Sequence, residues 1–267
     1  MAKSRLDALI CARGLVPSRE KARALILAGQ VKVNGRVVDK AGHQIDETAD
    51  INILETLKYV SRGGFKMEGA IRAFDIDFKN KTVLDVGAST GGYTDCALQN
   101  GALHVYALDV GYGQLDWTLR NNPQVTVIER TNVRYFTPDQ LEGPVDIITM
   151  DVSFISTCKV FPVLGPLLRD DGKVVSLIKP QFEAGKEKVG KHGVVKDAGV
   201  HREVLQKCIQ CAAQYGLGCT DVTYSPITGP QGNIEFFIYL TKGQTADPAA
   251  DDKIEKVVAE AHQVLEV

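Results

Sequence analysis

Seven short apolar runs recur between residues 82 and 240, and most are separated by stretches of helical character. The runs are Thr82–Gly87, His104–Asp109, Val125–Ile128, Val145–Asp151, Lys173–Ile178, Thr220–Tyr224 and Ile234–Leu240. Helical stretches at Thr94–Asn100, Phe161–Leu168 and Val200–Tyr215 intervene. A strand covered on one face alternates polar and apolar residues, whereas a strand covered on both faces reads as an unbroken apolar run. Such runs alternating with helices predict an α/β fold, Rossmann-like, with a mainly parallel seven-stranded sheet. The seventh strand is expected to run antiparallel. With 44% hydrophobic and 24% charged residues over 267 positions, the chain can bury a sizeable core. Its uncharged runs, such as Cys208–Thr220, fall short of the roughly 20 apolar residues that span a bilayer.

Charge is distributed unevenly. Residues 1–40 hold four Lys and five Arg against Asp7, Glu20 and Asp39, in a chain whose formal net charge is −2. A basic head on an acidic body predicts two domains, one of which meets a polyanion. In the head, Leu6, Leu9 and Ile10 recur at helical spacing and Gly14 follows as a stop. Ser18 is placed to cap a second helix, because its hydroxyl accepts from the first free amides, and Glu20 suits the positive end of the helix dipole. Ala22, Leu25 and Ile26 form its apolar face and Gly29 its end. Val31-Lys-Val33, Asn34-Gly35 and Val37-Val38 then read as a hairpin, since both turn residues must take positive φ. Residues 49–60 close the head with a strand and a connector. Through Arg5-Leu6-Asp7, Ser18-Arg-Glu-Lys-Ala22 and Gly29-Gln-Val-Lys-Val-Asn-Gly35, residues 3–48 resemble the S4-like RNA-binding domain, a small α+β fold. The resemblance implies phosphate contacts from Arg5, Arg13, Arg19, Lys21, Arg23 and Lys32. The expected organisation is 1–60, 61–242 and 243–267. The last segment is a polar linker and an amphipathic helix with Ile254, Val257, Val258 and Ala261 on one stripe.

The first strand of the large domain runs into Asp85-Val-Gly87-Ala-Ser89-Thr90-Gly91-Gly92. A glycine-rich turn at that place lets a ligand approach the backbone. A dinucleotide fingerprint spaces its glycines G-x-G-x-x-G, whereas here the spacing is G-x-x-x-G-G. An acid two residues before the first glycine, with Asp109 closing the next strand, fits S-adenosylmethionine better. Asp109 can accept hydrogen bonds from both ribose hydroxyls of an adenosine. Asp85 can help receive the cationic methionine end, directly or through water. Asn132 and Val133 follow the third strand and are placed to flank the adenine.

Four polar residues are expected around one crevice. Lys66 ends Ser61-Arg62-Gly-Gly-Phe-Lys66, just before the first strand of the large domain; Asp151 closes the fourth strand, Lys179 the fifth, and Glu235 opens the seventh. Ligands of open α/β sheets bind outside the carboxyl ends of the strands, and an antiparallel seventh strand begins there. A ribose 2′-hydroxyl must lose its proton as a methyl group arrives. A lysine can take that proton only when neutral, a state favoured by burial and by a neighbouring ammonium. Lys179 is the candidate base and Lys66 the neighbouring cation; Asp151 can orient the lysine amine, and Glu235 the other lysine or the hydroxyl. A sulfonium carries its own leaving group, so no metal is required, and positioning supplies most of the catalysis.

In chain order, Lys66, Asp151, Lys179 and Glu235 match the Lys-Asp-Lys-Glu tetrad of the FtsJ-type ribose 2′-O-methyltransferases, which the large domain resembles. This implies a class I fold dependent on S-adenosylmethionine. The order of the domains, with Asp151-Val-Ser-Phe-Ile155 and Lys179-Pro-Gln-Phe-Glu183, is similar to the TlyA subgroup as far as Leu240. That similarity implies methylation of cytidine ribose in ribosomal RNA, free or in a ribosomal subunit; many such proteins were labelled haemolysins. The subgroup often carries an aromatic-rich basic tetrapeptide between its domains, where this chain has Lys58-Tyr-Val-Ser-Arg62, with Arg62 a further RNA-binding candidate.

The stretch Glu183–Asp197 combines Gly185, Gly190 and Gly193 with Lys186, Lys188, Lys191, His192 and Lys196, and reads as a mobile basic flap that closes on RNA. Cys208-x-x-Cys211 lacks a partner pair, and a zinc site wants four ligands, so these read as buried helix thiols. Six scattered cysteines and an N-terminus without an apolar signal segment predict reduced thiols and a cytoplasmic protein. Three rival readings compete. A membrane-active haemolysin would have only the C-terminal helix to work with. A pseudouridine synthase would lack the glycine-rich turn. An RNA-binding protein with a vestigial cofactor site need not bind the cofactor, which a calorimetric titration would decide.

Overall fold

The computed structural model describes residues 3–27, 30–38, 40–53, 58–229, 231–245 and 250–265. Gly29, expected to end the second helix, lies outside the described residues. The chain separates into two compact units, Met1–Arg62 and Gly63–Val267.

The first unit contains β1 (Lys3–Arg5), α1 (Leu6–Ala12), α2 (Arg19–Leu27), β2 (Val31–Val33), β3 (Arg36–Val37), β4 (Gln44–Asp46) and β5 (Ile51–Ile53). Leu6, Leu9 and Ile10 of α1 share one core with Ala22, Leu25 and Ile26 of α2 and with Val31, Val33 and Ile45. Ser18 accepts the Lys21 amide at 3.2 Å, a cap that fixes the start of α2. Asn34 and Gly35 adopt φ of 48° and 80°. That left-handed pair turns β2 back onto β3, and β5 pairs on the other edge of β2. The pairing of β1 with β4 is not evident in the sequence. Each strand is three residues long, too short to display a period.

The second unit runs α3 (Gly63–Phe74), β6 (Thr82–Val86), α4 (Gly92–Gln99), β7 (His104–Leu108), α5 (Trp117–Arg120), β8 (Val125–Ile128), β9 (Val145–Met150), α6 (Phe161–Leu164), β10 (Leu168–Ile178), α7 (Pro180–Glu183), α8 (Ala198–Ala213), β11 (Leu217–Tyr224), β12 (Phe236–Lys242) and α9 (Ala250–Val264). Its seven strands lie in the order β11-β12-β10-β9-β6-β7-β8. Pairs from β10 through β8 are parallel, and β12 runs antiparallel between β10 and β11. Several expected boundaries shift: β11 starts at Leu217, not Thr220, and β12 starts at Phe236, not Ile234, so Glu235 precedes that strand. α6 is cut short because Gly165-Pro-Leu167 forms a 3-10 turn instead of continuing the helix. β10 starts five residues earlier than its apolar run, with a register shift between Leu168 and Lys173 where Arg169-Asp-Asp171 interrupts the apolar pattern.

The sheet is covered on both faces, which is why its strands read as apolar runs. Leu84, Leu108, Ile148 and Val174 join Val204, Leu205 and Ile209 of α8 in one cluster. Met67 and Ala70 of α3 and Cys96 and Ala97 of α4 are also buried, and Phe74 stacks on Tyr239 of β12 with ring centroids 5.1 Å apart. Each large apolar side chain so buried contributes about 1.5–3 kcal/mol relative to exposure. Ile254, Val258 and Ala261 of α9 belong to the first cluster, so the amphipathic face of this helix is turned inward. Among the described residues, no helix is long and apolar enough to cross a membrane.

Candidate active site

Ile178, the last residue of β10, stands opposite Phe236, the first of β12. Lys179 and Glu235 are the next residues outward and therefore leave the sheet at the same end. On the neighbouring strands Val86 pairs with Met150, which sets Asp151 beside Gly87; the Asp151 amide donates to the Val86 carbonyl at 2.9 Å. Gly87 has φ 84°, and a Cβ there would collide with the Asp151 carbonyl. A side chain would force the two strand ends apart.

The four tetrad candidates form two ion pairs. The Lys179 amine pairs with the Asp151 carboxylate and donates to Ser153 Oγ at 2.8 Å. Lys66 pairs with Glu235, and these side chains are only 10% and 1% exposed. Lys66 lies in the first turn of α3, a helix that the sequence reading leaves undrawn. Tyr93 of α4 is not among the residues the sequence points to. Burial, then the charges of Asp151, Glu235 and Asp85, push its phenol well above the ordinary range. Its available signal was an aromatic directly after the Gly91-Gly92 turn.

A cavity of about 610 Å³ opens beside Asp151. Gly87, Ser89, Asp109, Asn132 and Val133 line it with Val110, Ser153 and Phe154. Asp109 accepts the Ser89 amide at 2.8 Å on one oxygen and the Gly111 amide at 2.6 Å on the other. Each oxygen keeps acceptor capacity for a ligand. The Asn132 side-chain oxygen accepts the Arg134 amide at 3.1 Å, which fixes its orientation. A fixed carboxylate for a diol, between apolar walls, fits the adenosine portion of S-adenosylmethionine.

Asp85, expected to help receive the methionine end, does not line this cavity. It is 1% exposed and accepts the hydroxyls of Thr94 at 2.7 Å and Thr149 at 2.9 Å. Burial raises its carboxyl to about 6 despite those hydrogen bonds. Thr90, Gly91 and Gly92 form the far side of the turn. The Gly91 amide donates to the Ala88 carbonyl at 2.7 Å, the Thr90 carbonyl accepts the Asp116 amide at 3.2 Å, and Gly92 starts α4.

A second cavity, also about 610 Å³, lies between Phe154, Lys159, Phe182 and the loop through Lys186, Gly190 and Gly193. Phe154 is 90% exposed at φ 62°, and its ring packs on Phe182 with centroids 4.9 Å apart. The basic loop is tied at its far end: Asn233 accepts the Val195 amide at 3.0 Å and donates to the Gly193 carbonyl at 2.9 Å. Lys188 pairs with Glu203, whereas Lys186 and Lys191 are exposed.

In the first unit, Arg5, Arg19 and Arg23 converge on Asp7. Arg13 instead donates to the backbone carbonyls of Ala49, at 2.8 Å, and Glu47, and so helps hold its own unit together. Lys21 and Lys32 are half-buried, and Arg62 closes the unit. Two further groupings escape sequence spacing. Cys158 meets Cys208 and Cys211, and hydrogen bonding, chiefly with Cys208, lowers its thiol. His201 contacts His262 at 2.9 Å. Among the described residues, no cluster of three or more His, Cys, Asp or Glu is arranged to hold a metal ion.

Residues 59–242 match the model of the FtsJ-like methyltransferase family, and residues 4–51 that of the S4 domain. The chain is 48% identical over 268 residues to YqxC of Bacillus subtilis (strain 168), designated an rRNA methyltransferase, with 98% of this chain and 95% of that one covered. It is 40% identical over 263 residues to TlyA of Mycobacterium tuberculosis (strain ATCC 25618 / H37Rv), named a 16S/23S rRNA (cytidine-2′-O)-methyltransferase, with 97% and 98% covered. A solved structure from Streptococcus thermophilus that carries a hemolysin designation superposes with a TM-score of 0.80 at 42% identity, covering 100% of this chain and 98% of that one. The chain belongs to the FtsJ-like methyltransferase family and carries an S4 domain at its N-terminal end.

Proposed function

We propose that this chain transfers a methyl group from S-adenosylmethionine to the ribose 2′-hydroxyl of a cytidine in ribosomal RNA, with Lys179 as general base. The observation that carries this reading is the meeting of two lysine–carboxylate pairs, Lys179 with Asp151 and Lys66 with Glu235, at one sheet end next to the Asp109-lined cavity. The nucleotide and the RNA class come from the names of the relatives. TlyA of M. tuberculosis is named for 16S/23S cytidine-2′-O methylation and TlyA of Campylobacter jejuni for the 23S reaction.

S-adenosylmethionine, when bound, supplies an electrophilic methyl group whose leaving group is a neutral thioether. The chain's own residues do the rest. Asp109 binds the ribose diol, and Val110 and Val133 offer apolar surface to the adenine. Asp151 and Ser153 orient the Lys179 amine. In its neutral form that amine accepts the proton the 2′-hydroxyl loses. Lys66, held by Glu235, stands at the same sheet end as that amine. Phe154 offers an aromatic face to the target base, and Lys186 and Lys191 face the phosphates of the same strand. The S4 unit grips RNA through its own basic residues.

A membrane-active reading finds less support, because the amphipathic helix α9 buries Ile254, Val258 and Ala261 in the core. The test is to incubate the purified chain with labelled S-adenosylmethionine and ribosomal RNA from cells lacking the gene, then map the modification. Label at a cytidine 2′-oxygen is expected. Label on a base, or none on free RNA or isolated subunits, would overturn the reading.

A further inference from the structure

Asp7 is the most heavily used carboxylate of the first unit. Its side chain is 0% exposed, while those of its partners Arg5, Arg19 and Arg23 are 44%, 49% and 52% exposed. Arg5 donates through Nε to Oδ1 and through Nη2 to Oδ2, both at 3.0 Å. Arg23 donates through Nε at 3.0 Å and Arg19 through Nη2 at 3.3 Å, both to Oδ2. The Ala8 amide completes the set at 2.9 Å on Oδ1. Hydrogen bonding from Arg5, ahead of that from Arg23 and Arg19, holds this carboxyl far below the ordinary range.

We propose that Asp7 is a positioning residue that fixes these three guanidiniums as one preset array for the phosphates of folded ribosomal RNA. The inference rests on the RNA reading given above. Neutralisation alone does not account for the geometry, because one carboxylate serves three cations and leaves a local surplus of positive charge. Arg23 engages Asp7 only through Nε, so its two terminal nitrogens are not used on the carboxylate. Arg19 and Arg23 are one helical turn apart on α2 and share a face. A free arginine loses rotamer entropy on being fixed. Three arginines fixed in the fold have already lost much of that freedom before RNA arrives, and their planar forks hold a set spacing.

The experiment uses the full chain, with ribosomal RNA and single-stranded poly(U) as probes at matched salt, and the Asp7→Asn variant. Bulk electrostatics alone predicts tighter binding of both RNAs, since the variant gains one positive charge. Positioning predicts opposite signs: ribosomal RNA bound about tenfold more weakly and poly(U) bound as well or better. The salt slope for ribosomal RNA should also become shallower by about one phosphate contact. Unchanged or tighter ribosomal RNA binding by Asp7→Asn would overturn the proposal. Failure of the unaltered chain to bind ribosomal RNA would instead overturn the RNA reading. Should Asp7→Asn not fold, Arg23→Lys keeps the charge but removes the fork. It should weaken ribosomal RNA binding several-fold with poly(U) unchanged, and equal losses on both probes would contradict the preset array.

Discussion

Lys66 and Glu235 stand 169 positions apart in the chain and form one buried ion pair. Removing one partner leaves the other charge without compensation at a site almost closed to water, which costs about 3–5 kcal/mol. Lys66→Ala should therefore lower the urea midpoint by that equivalent at pH 7. Arg72→Ala is the control: Arg72 is 79% exposed and meets Glu68 at 3.6 Å. Its removal should shift stability by less than about 1 kcal/mol.

Asp109 should govern cofactor affinity. Its carboxylate is held by two backbone amides and faces the cavity. Asp109→Ala removes charged acceptors for a ribose diol and leaves those amides without their partner. The Kd for S-adenosylmethionine, measured by calorimetry, should rise about 10- to 100-fold. An unchanged Kd would place the nucleoside elsewhere.

The strand ends were legible because an apolar run that stops at an acid or a lysine marks both the strand and its mouth; Asp109, Asp151 and Lys179 all follow this rule. Lys66 was legible as a member of the site but not as a helical residue, since Ser61-Arg-Gly-Gly carries no helix pattern of its own. Arg13 illustrates the opposite limit. A surface arginine in a basic head reads as a phosphate ligand, and nothing local announces that the carbonyls of Ala49 and Glu47 return beside it. Tyr93, the Cys158–Cys208–Cys211 grouping and the His201–His262 contact depend on tertiary packing between distant segments, which no local period records.

Phe154 should show a conflict between stability and substrate use. Its φ of 62° is a left-handed conformation that costs a side-chain-bearing residue about 1 kcal/mol or more. Phe154→Gly should therefore raise the unfolding midpoint, while Phe154→Ala, which keeps a Cβ, should not share that gain. Both variants should raise the KM for RNA, because base stacking on an aromatic ring is worth about 1–3 kcal/mol.

Asp85 gives a pH signature. Its folded carboxyl is raised to about 6, above the ordinary unfolded value of about 3.9. The protonated form is therefore favoured by the fold. Its stabilising contribution is full below about pH 4 and is lost as pH rises through about 6. Asp85→Asn stays neutral throughout. From pH 4 to pH 7 the stability of the variant relative to the unaltered chain should rise by about 2–3 kcal/mol. Urea unfolding of both proteins across that range measures it, and a flat difference would contradict the burial argument.

The most direct measurement pairs two readouts on one variant, Lys179→Ala. Methyl transfer to ribosomal RNA should fall by about 10²- to 10⁴-fold, the span of a lost general base, while the calorimetric Kd for S-adenosylmethionine stays within about twofold. Undiminished transfer in a variant that binds the cofactor normally would contradict the assignment of Lys179 as the base.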